Sequence, residues 1–294
     1  MSARQAFRQA ALDHALTLPE CIKADGLIHR FATSKRSCDR AGWYQLTDGE
    51  EAHGAFGCWR SGVSVGWSAR NRSEQLSAGE LQKIQAKMEM QRREELRILA
   101  IRHAEKALDM RQTWARATDT DSTPSHAYLT KKMLPGLGLR RLREVLLAPL
   151  FDENGVIQGG QTIGADGAKR FFAGARKKGL FCPIGWLPGE PLTELLIAEG
   201  WASGCAAHLM FGLPAIASMD AGNLLPAARS IRQRYPNTKL IFACDWDGPG
   251  GGIGFAAASA AAFAVGNSRV IKPVCPDDAH CDFADVWLQT RGAA

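Results

Sequence analysis

The pattern of apolar and polar residues is clearest in the C-terminal third of the chain. Two short apolar runs, at 195–198 and 240–243, each end on acidic residues. Apolar runs of this length that are bounded by turn residues and separated by helical segments are typical of buried parallel strands. From Thr193 onwards, strand patterns and helix patterns alternate. The sequence therefore predicts an α/β fold in which residues 191–294 form a parallel sheet flanked by helices.

Upstream of this sheet, the pattern predicts three further segments. Residues 1–70 begin with a short helix and continue as short strands and turns, which predicts a small β-rich N-terminal module. Residues 71–124 are highly charged and carry apolar residues at helical spacing, which predicts a helical connector of one or two helices. Residues 125–190 combine a short helix with three strand patterns and form a basic α+β segment. Together with 191–294, this division gives four domains.

Three carboxylates follow the two apolar runs. Glu199 comes directly after the first run, and Asp245 and Asp247 come after the second. Ligands of parallel α/β sheets bind outside the carboxyl ends of the strands, and residues two apart in an extended chain face the same way. Three converging acids repel one another unless a hard divalent cation lies between them. The sequence therefore predicts a Mg²⁺ site, or a Mn²⁺ site, that faces phosphate.

Basic residues are concentrated immediately before the acidic site. The whole chain has a formal net charge of +6. Residues 127–178 contain ten basic and four acidic residues, an excess of six that equals the surplus of the whole chain. This excess favours a polyanionic partner. The residues expected to bind nucleic acid or nucleotide phosphates are Lys169, Arg170, Arg176, Lys177 and Lys178; the alternative is a solubilising basic loop.

Other compartments and cofactors are disfavoured by the sequence. No apolar run approaches the roughly 20 residues of a membrane span, and the N-terminus lacks the features of a signal peptide. The eight cysteines form no Cys-x-x-Cys pair, so we expect reduced thiols and a cytoplasmic protein. Zinc is not expected, because the spacings of the available ligands are too loose. The two sets considered are His29, Cys38, His53 and Cys58, and Cys275, His280 and Cys281.

Several stretches together resemble a known family, the Toprim-domain DNA primases of phages and plasmids. The resemblance covers nearly the whole chain and is most specific from about 125 to 290. It implies a Toprim sheet and an enzyme that makes short RNA primers on single-stranded DNA from ribonucleoside triphosphates. No ATPase motif is present, so a replicative helicase partner is expected to be a separate protein. The stretches that carry the resemblance are LLAPLFDENGVIQGGQTIGADGAKRFFAGARKKG, EGWASGCAAH, GLPAIASMDAGNLLP and the Asp-x-Asp at 245–247.

The resemblance also implies roles for particular residues. Glu199, Asp245 and Asp247 match the catalytic metal ligands of the family, and the basic residues match those that line the cleft. Asp282 and Asp285 match a further acidic motif that adds to the metal cluster. Their alternative interpretation is a helix cap and a first-turn acid on the last helix.

Two rival functions and one structural alternative stay open from the sequence. A Toprim nuclease would use the same acids to activate water, and a non-catalytic module that binds single-stranded nucleic acid would keep only the fold and the charge. A type IA topoisomerase is excluded, because no tyrosine lies in a plausible separate domain. In the N-terminal module, the recurring aromatic residues form either the core of a small sheet or a surface that stacks unpaired bases.

Overall fold

The computed structural model describes residues 2–34, 39–49, 52–69, 74–75, 78–120, 126–275 and 280–292. The chain divides into two compact units, Met1–Arg97 and Ile98–Ala294. This single division falls inside a helix. The four predicted domains therefore stay a prediction. Among the described residues, no helix combines the length and the apolar character that a membrane span requires.

The first unit contains one short helix and an antiparallel sheet. Helix α1 (Ala3–Asp13) begins with a capping box between Ser2 and Gln5. Phe7 of this helix is fully buried and packs edge-on against aromatic rings of the sheet. The sheet has its strands in sequence order: β1 (Asp25–Phe31), β2 (Gly42–Thr47), β3 (His53–Cys58), β4 (Val63–Ser68) and β5 (Glu74–Gln75).

The aromatic residues of this unit are mostly core residues. Tyr44, Phe56 and Trp67 are buried and belong to one cluster with Phe7. Trp43 is buried as well, beneath the partly exposed Trp59. The core interpretation is therefore confirmed for these buried rings.

Helix α2 (Ala78–Arg116) follows as one helix of 39 residues and crosses the division between the two units. Of the two predicted possibilities, one long helix and two shorter ones, the structure has the first. Its C-terminal part contributes fully buried Met110 to the second unit, where the side chain lies against Gly160.

The second unit begins with a short helix, α3 (Ala127–Lys132), and a second antiparallel sheet. Asp152 organises one turn of this sheet, where its carboxylate accepts hydrogen bonds from the backbone N–H groups of Asn154 and Val156. The sheet pairs neighbours along the chain and contains β6 (Thr118–Asp119), β7 (Arg140–Leu142), β8 (Val145–Phe151), β9 (Ile157–Ile163) and β10 (Lys169–Phe171).

The remainder of the second unit consists of a small two-stranded sheet and a third large sheet with helices on both faces. The strand order of the third large sheet is β11-β13-β12-β14-β16, in which β11 is antiparallel to its neighbour and the other four strands are parallel. The elements in chain order are β11 (Cys182–Ile184), β12 (Glu194–Ala198), α4 (Trp201–Phe211), β13 (Ala215–Ala217), α5 (Ala221–Arg234), β14 (Lys239–Ala243), β15 (Trp246–Asp247), α6 (Gly252–Val265), β16 (Ser268–Ile271), β17 (His280–Cys281) and α7 (Phe283–Gly292).

The two apolar runs form the adjacent central strands β12 and β14. Every residue of both runs is at most 1% exposed. Leu196 and Ala198 pack on one face, in the cluster that includes residues of α4 and α7, and Leu195 and Ile197 pack on the other, with residues of α5 and α6. A strand that is buried on both faces needs apolar residues at every position, which is why the runs are continuous. The α/β class is confirmed.

The cysteines include one pair that the sequence analysis expected to be reduced. Cys275 and Cys281 form a disulfide across a separation of six residues. The expectation of reduced thiols was wrong for this pair. Cys281 lies in β17, which pairs with β15 and places Cys281 opposite Trp246. Among the described residues the free cysteines are Cys21, Cys58, Cys182, Cys205 and Cys244.

Candidate metal and phosphate site

Glu199 lies at the edge of the sheet where the sequence placed it. Strands β12 and β14 are hydrogen-bonded in parallel register, with Ala198 opposite Ala243, so the residues that follow them emerge side by side. Burial raises the pKa of the Glu199 carboxyl, and the charges of Asp220 and Asp247 raise it further. The backbone N–H of Ala221 and the charge of Lys169 act in the opposite direction. Glu199 therefore faces two other carboxylates and one cation.

Asp245 is the most strongly perturbed acid of the site. Burial raises its pKa to about 7, and the charges of Asp282 and Glu199 add to the effect. The hydroxyl of Ser203 donates to Asp245 Oδ1 at 3.3 Å and opposes the rise only in part. A carboxylate that is held among other carboxylates with little compensation favours a bound cation.

Asp247 is exposed and lies against the first turn of α6. Its Oδ2 accepts a hydrogen bond from the backbone N–H of Gly254 at 2.9 Å. A Cβ at Gly252 would come within 2.6 Å of Asp247 Cβ, and one at Gly254 within 2.7 Å of the Asp245 carbonyl oxygen. Glycines at these two positions thus let the helix approach the acidic residues.

Asp282 and Asp285 are both helix-capping residues at the start of α7. The backbone N–H of Asp285 donates to Asp282 Oδ1 at 2.8 Å, and the N–H of Asp282 donates to Asp285 Oδ2 at 3.2 Å. This reciprocal pair corresponds to a capping box. Asp282 is also the neighbour whose charge contributes most to the raised pKa of Asp245. Asp285 instead points toward Lys132, at 3.7 Å.

The structure therefore brings four of the five predicted acids into one neighbourhood: Glu199, Asp245, Asp247 and Asp282. In the ranges that the structure describes, no three His, Cys, Asp or Glu side chains lie in ready-made metal-ligating geometry. What the site offers is oxygen donors, the ligand type that Mg²⁺ and Mn²⁺ prefer, whose mutual repulsion a divalent cation relieves. The donor set fits such an ion, and the ligand assignment stays a proposal.

Asp220 is an acid of this neighbourhood that the sequence analysis missed. It directly precedes α5, where its Oδ1 accepts a hydrogen bond from the backbone N–H of Asn223 at 3.0 Å. Its charge is the largest electrostatic contribution to the raised pKa of Glu199. It follows β13, a strand of only three residues, which is too short to stand out as an apolar run. The sequence feature that could have identified Asp220 is an Asp that directly precedes a helix and follows the carboxyl end of a strand.

Two of the five predicted phosphate-binding residues lie against the acidic residues. Lys169 Nζ lies 3.9 Å from the position that a Cβ on Gly200 would occupy, beside Glu199. Lys177 Nζ lies 2.6 Å from Asp220 Oδ2. Arg170 and Lys178 are exposed, and Arg176 is half-buried. The basic segment and the acidic edge of the sheet thus meet at Lys169 and Lys177.

These features define an α/β protein with an acidic sheet edge that is lined by lysines. No family model matches the chain. The chain is 27% identical over 272 residues to DNA primase TraC of Escherichia coli, which covers 86% of this chain and 24% of that protein. A second match to a DNA primase TraC of the same organism reaches 32% identity over 134 residues, which is 44% of this chain and 9% of that protein. The chain thus spans a quarter or less of the length of these relatives.

Primase structures are also found among the solved structures that are similar to the chain. The DnaG primase catalytic domain bound to ssDNA has a TM-score of 0.44 and 17% identity, over 66% of this chain and 77% of that one. The primase fragment of the bacteriophage T7 primase-helicase has a TM-score of 0.42 and 14% identity, over 60% of this chain and 76% of that one. The predicted resemblance to DNA primases is confirmed by the sequence matches.

Proposed function

We propose that the chain is a DNA primase that makes short RNA primers on single-stranded DNA by metal-dependent nucleotidyl transfer. The observation that carries the proposal is the meeting of acids and lysines at one sheet edge: Asp245 and Glu199 lie together, with Lys169 against them. In this proposal, residues 191–294 form a Toprim domain, and the preceding basic segment supplies the other wall of the cleft. The similarity to DNA primase TraC supports the same activity.

The roles of the residues follow from their positions. Glu199, Asp245 and Asp247 would hold Mg²⁺ or Mn²⁺, with Asp282 nearby. The bound ion would neutralise charge on the attacking 3′ oxygen and on the leaving pyrophosphate. Lys169 and Lys177 would contact phosphates of the incoming ribonucleoside triphosphate. The exposed Arg170 and Lys178, with Arg176, would contact phosphates of the template strand.

A primase and a nuclease differ in their products: a primase joins ribonucleotides into new RNA, and a nuclease cleaves existing DNA. We suggest incubating the purified chain with end-labelled single-stranded DNA, differently labelled ribonucleotides and Mg²⁺ or Mn²⁺, and resolving both labels by length. A primase yields new short RNA and leaves the DNA intact. Shortened DNA without new RNA would instead identify the nuclease. Binding without either product would identify a non-catalytic module.

A further inference from the structure

Lys177 is held at the boundary between the basic segment and the acidic sheet edge. Its Nζ lies 2.6 Å from Asp220 Oδ2 and 5.0 Å from the centroid of the Phe171 ring. The Lys177 side chain is 44% exposed, whereas that of Asp220 is 31% exposed and its Oδ2 atom is buried. Lys177 can therefore turn from Asp220 to another anion on its exposed side.

Asp220 uses its two oxygens for different purposes. Oδ1 caps α5 through the backbone N–H of Asn223. Apart from the contact with Lys177, Oδ2 has no partner in the part of the chain that the structure describes. The Asp220 charge also acts on Glu199, a proposed metal ligand. Asp220 thus links Lys177 of the basic segment to the acids of the sheet edge.

Without a divalent cation, two effects oppose the binding of a triphosphate at this edge. The acids repel it, and the charge of Lys177 is already neutralised by Asp220. A divalent cation bound to the acids would reduce both effects. It offsets the repulsion between the acids and the triphosphate, and it attracts the Asp220 carboxylate, which weakens the ion pair between Asp220 and Lys177. Sites that share an exchangeable ion pair in this way have linked affinities.

We propose that Asp220 is a positioning residue whose ion pair with Lys177 couples metal binding to triphosphate binding. In the metal-free protein the pair keeps Lys177 away from phosphate. When the metal binds, Lys177 is released to the triphosphate. The inference rests on the proposed function, since it assumes that a nucleotide binds at this edge.

Asp220→Asn separates this role from a structural one. Asn caps a helix about as well as Asp, so the start of α5 is retained and the melting temperature should not change. The substitution nevertheless removes the charge that holds Lys177. We expect that in EDTA the variant binds ATP about fivefold more tightly than the wild type. In saturating Mg²⁺ the two affinities should agree within about twofold, so that the enhancement by Mg²⁺ shrinks about fivefold.

Two further variants test whether the effect passes through Lys177. If it does, adding Lys177→Gln to Asp220→Asn abolishes the gain in EDTA, because no lysine remains to be released. Glu194→Gln is the matched control: it frees Lys239 from a 2.8 Å ion pair at the opposite end of β12 and β14, and should leave ATP affinity unchanged.

Equilibrium binding of ATP to these variants of the 294-residue chain, with and without Mg²⁺, decides the question. Equal affinities of the wild type and Asp220→Asn in EDTA would overturn the inference, as would a gain that persists without Lys177. Both results leave the proposed function intact. A wild type that binds no ATP even in saturating Mg²⁺ would overturn the inference and the proposed function together.

Discussion

Replacing Asp245 by Asn should stabilise the metal-free protein. Burial and the neighbouring carboxylates raise the pKa of Asp245 in the folded chain from 3.8 to about 7. The unfolded chain releases this proton near pH 4, and the folded chain holds it until about pH 7. Stability therefore falls as pH rises through this window, and the full penalty is present above pH 7. Asn has no acidic proton, so the variant does not lose stability in this way as the pH rises.

The size of the effect follows from the same pKa values. At about 1.4 kcal/mol for each tenfold change in proton affinity, the penalty has a ceiling of about 4 kcal/mol. Part of it is shared with Asp282 and Glu199, which would titrate differently without Asp245, and Asn gives up the charged acceptor of Ser203. We therefore expect a gain of about 2 kcal/mol, or roughly 4–8 °C in melting temperature.

Thermal unfolding of the wild type and Asp245→Asn in EDTA, at about pH 8 and about pH 4.5, measures this gain. We expect the full gain at the higher pH and little at the lower. Adding Mg²⁺ at the higher pH should stabilise the wild type and narrow the difference. Asp109→Asn serves as the control: Asp109 forms an exposed ion pair with Lys106 on α2, and its replacement should bring no gain in melting temperature at the higher pH. A variant less stable than the wild type at the higher pH would refute the crowded acidic site.

Three further predictions concern the rest of the site and its support. The double change Asp282→Asn and Asp285→Asn should raise the Mg²⁺ requirement of primer synthesis, with partial recovery in Mn²⁺; a wild-type titration curve would limit both residues to capping α7. Replacing Arg170 and Lys178 by Ala should lower the salt dependence of single-stranded DNA binding by up to about 0.7 per lost phosphate contact, and an unchanged slope would contradict their role. The Arg232 guanidinium binds backbone carbonyls at the C-terminal ends of α5 and α6. Arg232→Met should therefore cost about 2–3 kcal/mol in urea unfolding, and an unchanged midpoint would show that these bonds add nothing.

The central strands and the acids that follow them could be predicted because a short stretch of sequence is enough to identify each one. The runs that form β12 and β14 are continuous and apolar, since both faces of these strands are buried, and the strand-end rule then placed Glu199 and Asp245 together. Asp220 was missed because β13 has three residues. A run this short does not differ from a loop in its pattern.

Features that depend on distant contacts could not be predicted. Cys281, which forms the disulfide with Cys275, lies in β17, a strand of two residues whose partner β15 is separated from it by α6 and β16. The ion pair of Lys177 with Asp220 joins residues from two different segments of the chain. In both cases the pairing is set by the packed fold, and neither residue shows its partner in the local pattern.

Primer synthesis depends, we propose, on a metal that Asp245 and Asp247 hold. The most direct test of this claim is RNA synthesis on single-stranded DNA from labelled ribonucleotides, measured over a range of Mg²⁺ concentrations. The wild type should make short RNA only when Mg²⁺ or Mn²⁺ is present. Asp245→Asn and Asp247→Asn should fold and make none, while Glu194→Gln, at the opposite end of the sheet, should match the wild type. RNA made at the wild-type rate by either Asp variant would contradict the claim.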